Sequence, residues 1–198
     1  MVGLPGANRY GTDPLHLLQT VKVKQELKIT DDQSDKLSKV ADKYDKEAAS
    51  KLAEASGAKE IRETGDKLIE SSRQEVSSIL NADQLNRLKQ ILLQVNGADA
   101  LQDKEVAKQV GITPEEAAKI QKLQAQTNKS LRSNLGTAHN GANQSSAPLG
   151  DESVKAADKI DTRAQEQSLS TLTPEQKQKF QQLAGAPFTL ERSDVVGQ

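Results

Sequence analysis

The sequence predicts an all-α fold, an elongated and thin bundle of capped helices. Apolar residues recur three and four positions apart along most of the chain, which is the period of an amphipathic helix. Four similar motifs have the form of helix N-terminal capping boxes. Hydrophobic residues make up only 34% of the chain, and many are alanine, so a thick core cannot be filled. Such a composition suits long helices packed in pairs.

Each capping motif consists of an aliphatic residue, a Thr or Asn, two further residues, and then a Gln or Glu. The Thr or Asn side chain can accept a hydrogen bond from a free N–H of the first turn, and the Gln or Glu can reach back to the N–H of the cap residue. Pro114 and Pro174 occupy the first helical position, where a missing N–H costs nothing. These motifs are therefore predicted to be structural helix starts. Their residues are Thr30 and Gln33, Asn81 and Gln84, Thr113 and Glu116, and Thr173 and Gln176.

The first part of the chain divides into an arm and several helices. Residues 1–13 are rich in Gly, Asn and Pro and are predicted to form a flexible arm. Residues 14–28 are predicted to form one or two short helices. Over residues 31–79 a helical pattern is interrupted at Ser56-Gly57 and at Gly65, so it fits either a hairpin or one kinked helix. The hairpin is favoured because two antiparallel helices bury their thin apolar stripes against each other.

The second part continues in the same manner. A helix begins at Asn81 and ends at Asn96-Gly97, and residues 99–110 are predicted to form a short helix before the one that begins at Thr113. Residues 134–150, rich in Gly, Asn and Ser, are predicted to be a flexible loop. Residues 151–170 return to a helical pattern, the last helix begins at Thr173, and residues 191–198 are expected to be a tail.

The chain also contains an internal repeat. Residues 23–40 align with residues 106–123 at an offset of 83, and residues 80–91 align with residues 172–183 at an offset of 92. The difference between the offsets fits an insertion in the second copy, in the predicted loop. The sequence therefore predicts two copies of one helical unit, over residues 14–97 and 98–190.

An aliphatic-Thr-x-x-Gln box used twice in each all-helical unit resembles the LTxxQ-motif family of bacterial periplasmic proteins, the Spy/CpxP-like proteins. The segments before two of the boxes, Val23–Thr30 and Val106–Thr113, are also similar to this group, and the resemblance covers most of residues 20–190. It implies a tandem of helical hairpin units in a periplasmic or secreted protein whose signal peptide has been removed. Asn81 and Glu116 depart from the motif, and the near-neutral charge differs from the basic cradle of the chaperones in this family.

Composition and residue types argue against several classes of function. The net charge is −1 and the chain has four aromatic residues, so neither a basic stripe nor a set of stacking platforms indicates nucleic-acid binding. Cysteine is absent, and His16 and His139 are far apart, so no metal or cofactor site is expected. No apolar run reaches the length of a membrane span. No phosphate-binding loop or catalytic set is recognised, so we expect no enzyme.

Three functional hypotheses remain. The first, implied by the resemblance, is a chaperone-like or stress-response protein that binds unfolded or partly folded protein clients, with homodimerisation possible. It predicts Leu, Ile and Val side chains partly exposed beside Lys and Arg. The second is a structural or adaptor module that binds one specific folded partner and has no general chaperone activity. The third is a carrier of a small ligand in a pocket between the two units.

Overall fold

The computed structural model of the chain describes residues 14–140, 151–190 and 194. These described residues form helices and contain no strand, which confirms the all-α prediction for them. No described helix is long and apolar enough to cross a membrane. The predicted arm, residues 1–13, lies outside the described residues, as do residues 141–150 of the predicted loop and all of the predicted tail except Asp194. The helices are α1 Pro14–Gln19, α2 Val21–Glu26, α3 Asp31–Glu54, α4 Ala58–Ile79, α5 Ala82–Asn96, α6 Lys104–Val110, α7 Pro114–Asn140, α8 Asp151–Ser170 and α9 Pro174–Ala184, with a 3-10 helix at Gly97–Gln102.

The chain divides into two compact units. The N-terminal unit contains the described residues up to 89 together with those after 188, and the C-terminal unit contains residues 90–188. This division falls within α5. The predicted bounds of 14–97 and 98–190 remain a prediction.

In the N-terminal unit, α3 and α4 form an antiparallel hairpin, so the structure has the favoured hairpin and not the single kinked helix. The turn between them contains Gly57, whose φ of 99° lies in the region that favours glycine. At the other end of the hairpin, Gln33 in the first turn of α3 donates to the carbonyl of Ile79, the last residue of α4. Residues 14–28 form two short helices, and α1 packs against both α3 and α4.

The core of the N-terminal unit is aliphatic. Leu18 and Val23 from the short helices and Leu37 from α3 are fully buried. The side chains that α3 and α4 turn toward each other and toward α1 follow the three- and four-residue spacing of the sequence. Further buried members are Leu15, Leu17, Leu27, Val40, Tyr44, Leu68, Val76, Leu80, Leu88 and Leu190.

The C-terminal unit differs from the prediction between residues 97 and 110. The predicted single helix over residues 99–110 is two elements, a 3-10 helix and α6. The break occurs at Asp103, which has an extended backbone and whose carboxylate accepts hydrogen bonds from the N–H groups of Glu105 and Val106. A short polar side chain that satisfies these N–H groups favours a new helix start over continuation of the old helix.

Helix α7 also differs from the prediction, because it continues through Asn140 whereas the loop was predicted to start at residue 134. The prediction was therefore wrong for residues 134–140. Asn134 and Gly136 are poor helix formers, but adding a residue to an existing helix costs much less than starting a helix. Composition alone thus placed the helix end too early.

Helices α7 and α8 pack against each other and against the 3-10 helix in the C-terminal unit. Its most buried large side chains are Ile91, Leu101, Val110 and Ile120. The amide of Gln94, on α5, forms hydrogen bonds with the end of α9 and with the segment that follows it. It donates to the carbonyls of Ala184 and Ala186 at 2.6 and 2.9 Å, and its oxygen accepts from the N–H of Phe188 at 2.7 Å.

Candidate functional site

All eight residues of the capping motifs lie at helix starts, where they form four reciprocal boxes. In the box of Thr173 and Gln176, the Thr hydroxyl accepts from the N–H of Gln176 at 3.2 Å, and the Gln176 amide oxygen accepts from the N–H of Thr173 at 2.8 Å. The two departures from the motif keep the same geometry, because Asn81 Oδ1 and the Glu116 carboxylate accept the corresponding bonds. The remaining members, Thr30 with Gln33, Gln84 opposite Asn81, and Thr113 opposite Glu116, pair in the same way.

The structure brings the boxes together in pairs, which the sequence did not predict. In the N-terminal unit the amides of Gln33 and Gln84 exchange hydrogen bonds at 2.9 and 3.0 Å. Gln84 Nε2 also donates to the carbonyl of Leu27, just after α2, at 3.1 Å. Each glutamine therefore satisfies an N–H group at the start of its own helix and a carbonyl at or just after the end of another.

The C-terminal unit has a related pair with one charged member. Gln176 Nε2 donates both to Glu116 Oε2 and to the carbonyl of Gly111, each at 2.8 Å. The hydrogen bond from the backbone of Thr113, followed by that from Gln176, holds the pKa of the Glu116 carboxyl below its ordinary value. The carboxylate can accept hydrogen bonds but, unlike Gln33, has no N–H to donate.

Replacing Glu116 with glutamine is expected to reduce the acid sensitivity of the protein. Because folding lowers the pKa of Glu116, its stabilising contribution is complete above the ordinary value of 4.5 and is lost as the pH falls through the lower, folded-state pKa. The unfolding free energy of Glu116→Gln should therefore fall less than that of the natural chain between about pH 5 and pH 3. Urea unfolding followed by circular dichroism at a series of pH values measures this. Glu115→Gln, one residue earlier in the same turn, is the control, and an equal effect of both variants would contradict the prediction.

An open pocket of about 190 Å³ lies on the hairpin of the N-terminal unit, between α1, α3 and α4. We call it the hairpin groove. Its wall is largely apolar, with Tyr44 buried and Gly65 in the middle of α4. A Cβ atom added at Gly65 would meet no neighbouring atom within 4 Å. The lining residues are Leu15, His16, Gln19, Ala41, Tyr44, Asp45, Ala48, Gly65, Leu68, Ile69 and Ser72.

Two exposed isoleucines accompany the hairpin groove. Ile61 and Ile69 are 45% and 39% exposed, and they lie one turn before and one turn after Gly65 on α4. Residues four apart lie on one face of a helix, so the three residues form a single row. Arg73 continues this row at the same spacing and is exposed. Large apolar side chains are therefore accessible beside a basic residue.

Polar groups line or adjoin the groove. The Tyr44 hydroxyl donates to Glu75 Oε1 at 2.9 Å, and Lys43 pairs with the same carboxylate. The hydrogen bonds from Lys43 and Tyr44 hold the pKa of the Glu75 carboxyl below its ordinary value. Gln19 Oε1 lies near Ser38 Oγ at 3.4 Å, whereas Gln19 Nε2 is buried and has no hydrogen-bond partner among the described residues.

Replacing Gly65 with alanine is expected to stabilise the protein by roughly 0.5–1 kcal/mol, because glycine in a helix interior carries an entropic cost and the added methyl group has free space. The midpoint of urea unfolding, with an unchanged slope, measures the effect. Gly57→Ala is the matched control. It should destabilise the protein, because Gly57 has a positive φ. A lower midpoint for Gly65→Ala would show that the free space is not available to the methyl group.

Other features of the described part of the chain give weaker evidence of a functional site. His16 lines the hairpin groove and is exposed, and the backbone of His139 belongs to α7. Among the described residues, no three His, Cys, Asp or Glu side chains are grouped so that they could hold a metal ion. The C-terminal unit has a second pocket, of about 140 Å³, lined by Leu93, Gln94, Gly97, Leu169, Lys177, Phe180, Gln181 and Ala184.

No protein-family model, curated protein or solved structure matches the chain. The hairpin groove was missed from the sequence, because Gly65 was interpreted as an interruption of the helix. The signal that could have revealed it is the row of Ile61, Gly65 and Ile69, in which the smallest residue lies between two large apolar ones at helical spacing.

Proposed function

We propose that this chain is a non-enzymatic protein of the bacterial cell envelope that binds unfolded or partly folded protein clients through the hairpin groove. The observation that carries the proposal is the exposure of Ile69 at an open, largely apolar pocket, with Ile61 exposed two turns earlier on the same helix. Contiguous apolar surface on a soluble domain is a common mark of an interaction site. An unfolded client differs from a folded protein in the apolar side chains that it exposes, and this surface suits them.

The charged residues around the row support a site for varied clients. Lys67 and Arg73 are exposed on the same helix, and Glu60, Glu63 and Glu70 are exposed with them. A mixed rim of this kind does not select strongly for the charge of a client, so apolar contact would dominate binding. Localisation in the periplasm or outside the cell is part of the proposal and rests on the family resemblance.

We further propose that the chain is a tandem duplication of a Spy/CpxP-like unit. The proposal is supported by backbone conformations that recur at the offsets of the repeat. Lys28 and Gly111, 83 residues apart, both have a positive φ, of 51° and 83°. Gln84 and Gln176, 92 residues apart, each donate to a carbonyl at these positions, at 3.4 and 2.8 Å. A non-glycine residue rarely adopts this conformation, so its recurrence at the aligned position favours common ancestry over coincidence.

Suppression of aggregation tests client binding. A chemically denatured model client is diluted at low salt with and without an equal molar amount of the protein, and light scattering is followed. The natural chain is expected to suppress scattering, and the double variant Ile61→Gln/Ile69→Gln to lose most of this effect. Val21→Gln is the matched control, because Val21 is 63% exposed on α2 and does not line the groove.

The outcomes separate the proposal from its alternative. If the natural chain does not suppress aggregation, client binding is wrong and the adaptor hypothesis takes its place, with one folded partner to be sought in an envelope extract. If Val21→Gln loses as much suppression as the double variant, the clients bind elsewhere than the groove. Thermal unfolding of each variant shows whether its fold is intact.

A further inference from the structure

We infer that the hairpin groove binds one aromatic side chain of an extended client segment, with a client carbonyl accepting a hydrogen bond from Gln19. This inference rests on the proposed function and names the chemical class of its ligand. Three observations support it: the size of the pocket, the small residues that line it, and the amide of Gln19 at its wall.

The pocket has the size of an aromatic group. Its volume of about 190 Å³ exceeds the roughly 150 Å³ of a known apolar cavity that binds benzene. Ala41 and Ala48 on α3 and Gly65 on α4 all line the pocket, so both helices contribute small residues to its wall. Tyr44 lines the same pocket and offers a ring against which a second ring can pack edge to face.

Gln19 supplies a specific polar contact. Its Nε2 is buried without a hydrogen-bond partner among the described residues, and a buried donor in this state is unfavourable. In the proposed complex the Gln19 amide turns its N–H toward the pocket and donates to a carbonyl oxygen of the ligand. A peptide brings such a carbonyl with every residue.

The row on α4 favours a peptide over a small molecule. Ile61 and Ile69 are eight residues apart, which is about 12 Å along the helix axis. An extended chain covers this length with about four residues. The aromatic side chain would enter the pocket at Gly65 while neighbouring residues of the segment lie against the two isoleucines.

The described residues of the C-terminal unit differ from the N-terminal unit at two positions that correspond to the groove. At an offset of 92, Gly65 corresponds to Ala157 and Ile69 corresponds to Asp161, and both of these residues are buried. Burial, followed by the charge of Asp161, raises the pKa of the Asp99 carboxyl, which is bonded to Gln124. The glycine of the N-terminal unit thus corresponds to a larger residue and the exposed isoleucine to a buried acidic one, so we expect the aromatic site in the N-terminal unit.

A fluorescence titration with a short peptide containing one Trp tests the inference. The chain has no Trp, so the emission of the peptide is observed without interference and should shift to shorter wavelength on burial. The same peptide with Phe in place of Trp should compete, and one with Ala should not. Gly65→Leu fills the pocket and is expected to weaken binding by at least about tenfold. Gln74→Leu, which adds the same side chain on the exposed opposite face of α4, should bind normally.

Two further variants make the test independent of any folding defect. Gly65→Ala is expected to be more stable than the natural chain and still to bind the Trp peptide more weakly. Gln19→Met should weaken the binding of the Trp peptide severalfold, and should weaken the binding of indole, which has no carbonyl, by a smaller factor. Equal peptide affinity in the natural chain, Gly65→Leu and Gly65→Ala would overturn the inference. If aggregation is still suppressed in that case, the proposed function stands, whereas absence of both peptide binding and suppression removes both.

Discussion

Replacing Gln84 with leucine is expected to lower the free energy of unfolding of the N-terminal unit by about 3 kcal/mol. The side chain is 8% exposed and bonds to Asn81, Gln33, Leu27 and Lys28. Leucine has a similar volume but can neither accept from the N–H of Asn81 nor donate to the carbonyl of Leu27. Loss of the box costs about 1 kcal/mol, and a buried carbonyl left without a donor costs about 1–3 kcal/mol more.

Urea unfolding of the full chain measures this loss, with Gln74→Leu as the control because it makes the same substitution at an exposed position of α4. The control is expected to change the stability by less than about 0.5 kcal/mol. If Gln84→Leu unfolds at the same urea concentration as Gln74→Leu, the paired boxes contribute nothing to stability. A second comparison, with Asn81→Ala, separates the box from the wider network. It should cost only about 1 kcal/mol, because the donation from Gln84 to Leu27 remains.

Truncating Leu37 to alanine is expected to destabilise the protein by about 3 kcal/mol, within the usual range for a leucine in a core. Leu37 is fully buried between the helices of the N-terminal unit, and removing its terminal carbon atoms leaves a cavity that rigid helices fill only in part. The effect is measured as a lower midpoint temperature of the cooperative thermal transition, followed by circular dichroism.

Ile69→Ala is the matched control, since it removes an aliphatic side chain from the same hairpin at a position that is already 39% exposed. It should cost about 1 kcal/mol or less, because little additional surface is transferred to water. A cost for Leu37→Ala as small as that for Ile69→Ala would mean that the hairpin does not pack around Leu37.

Much of the fold follows from local sequence signals. The all-α class and the helix starts at Thr30, Asn81, Thr113 and Thr173 depend on periodicity and on residues within one turn, which a sequence displays directly. The end of α7 was misplaced and the break at Asp103 was not predicted, because both depend on small differences between neighbouring helix-forming tendencies.

The candidate site was less predictable, because it depends on contacts between distant residues. Gln33 and Gln84 are 51 positions apart, and their hydrogen bonds arise only when the hairpin brings the start of α3 next to the start of α5. The groove at Gly65 likewise requires α1 and α3 to face the glycine. A helical period identifies the apolar face of a helix, but it does not reveal where that face remains uncovered.

The glutamines that join helix starts to helix ends also have a consequence for native-state dynamics. Isolated helix ends fray independently, and their amide hydrogens exchange with solvent at separate rates. Here the first turn of α3 cannot open without releasing the last carbonyl of α4, because Gln33 holds both. In the other unit, the first turn of α9 is tied in the same way to Gly111 and Glu116 through Gln176. The amides at these joined ends should therefore exchange as cooperative groups, and the last turn of α3, at the far end of the hairpin, should exchange faster than its first.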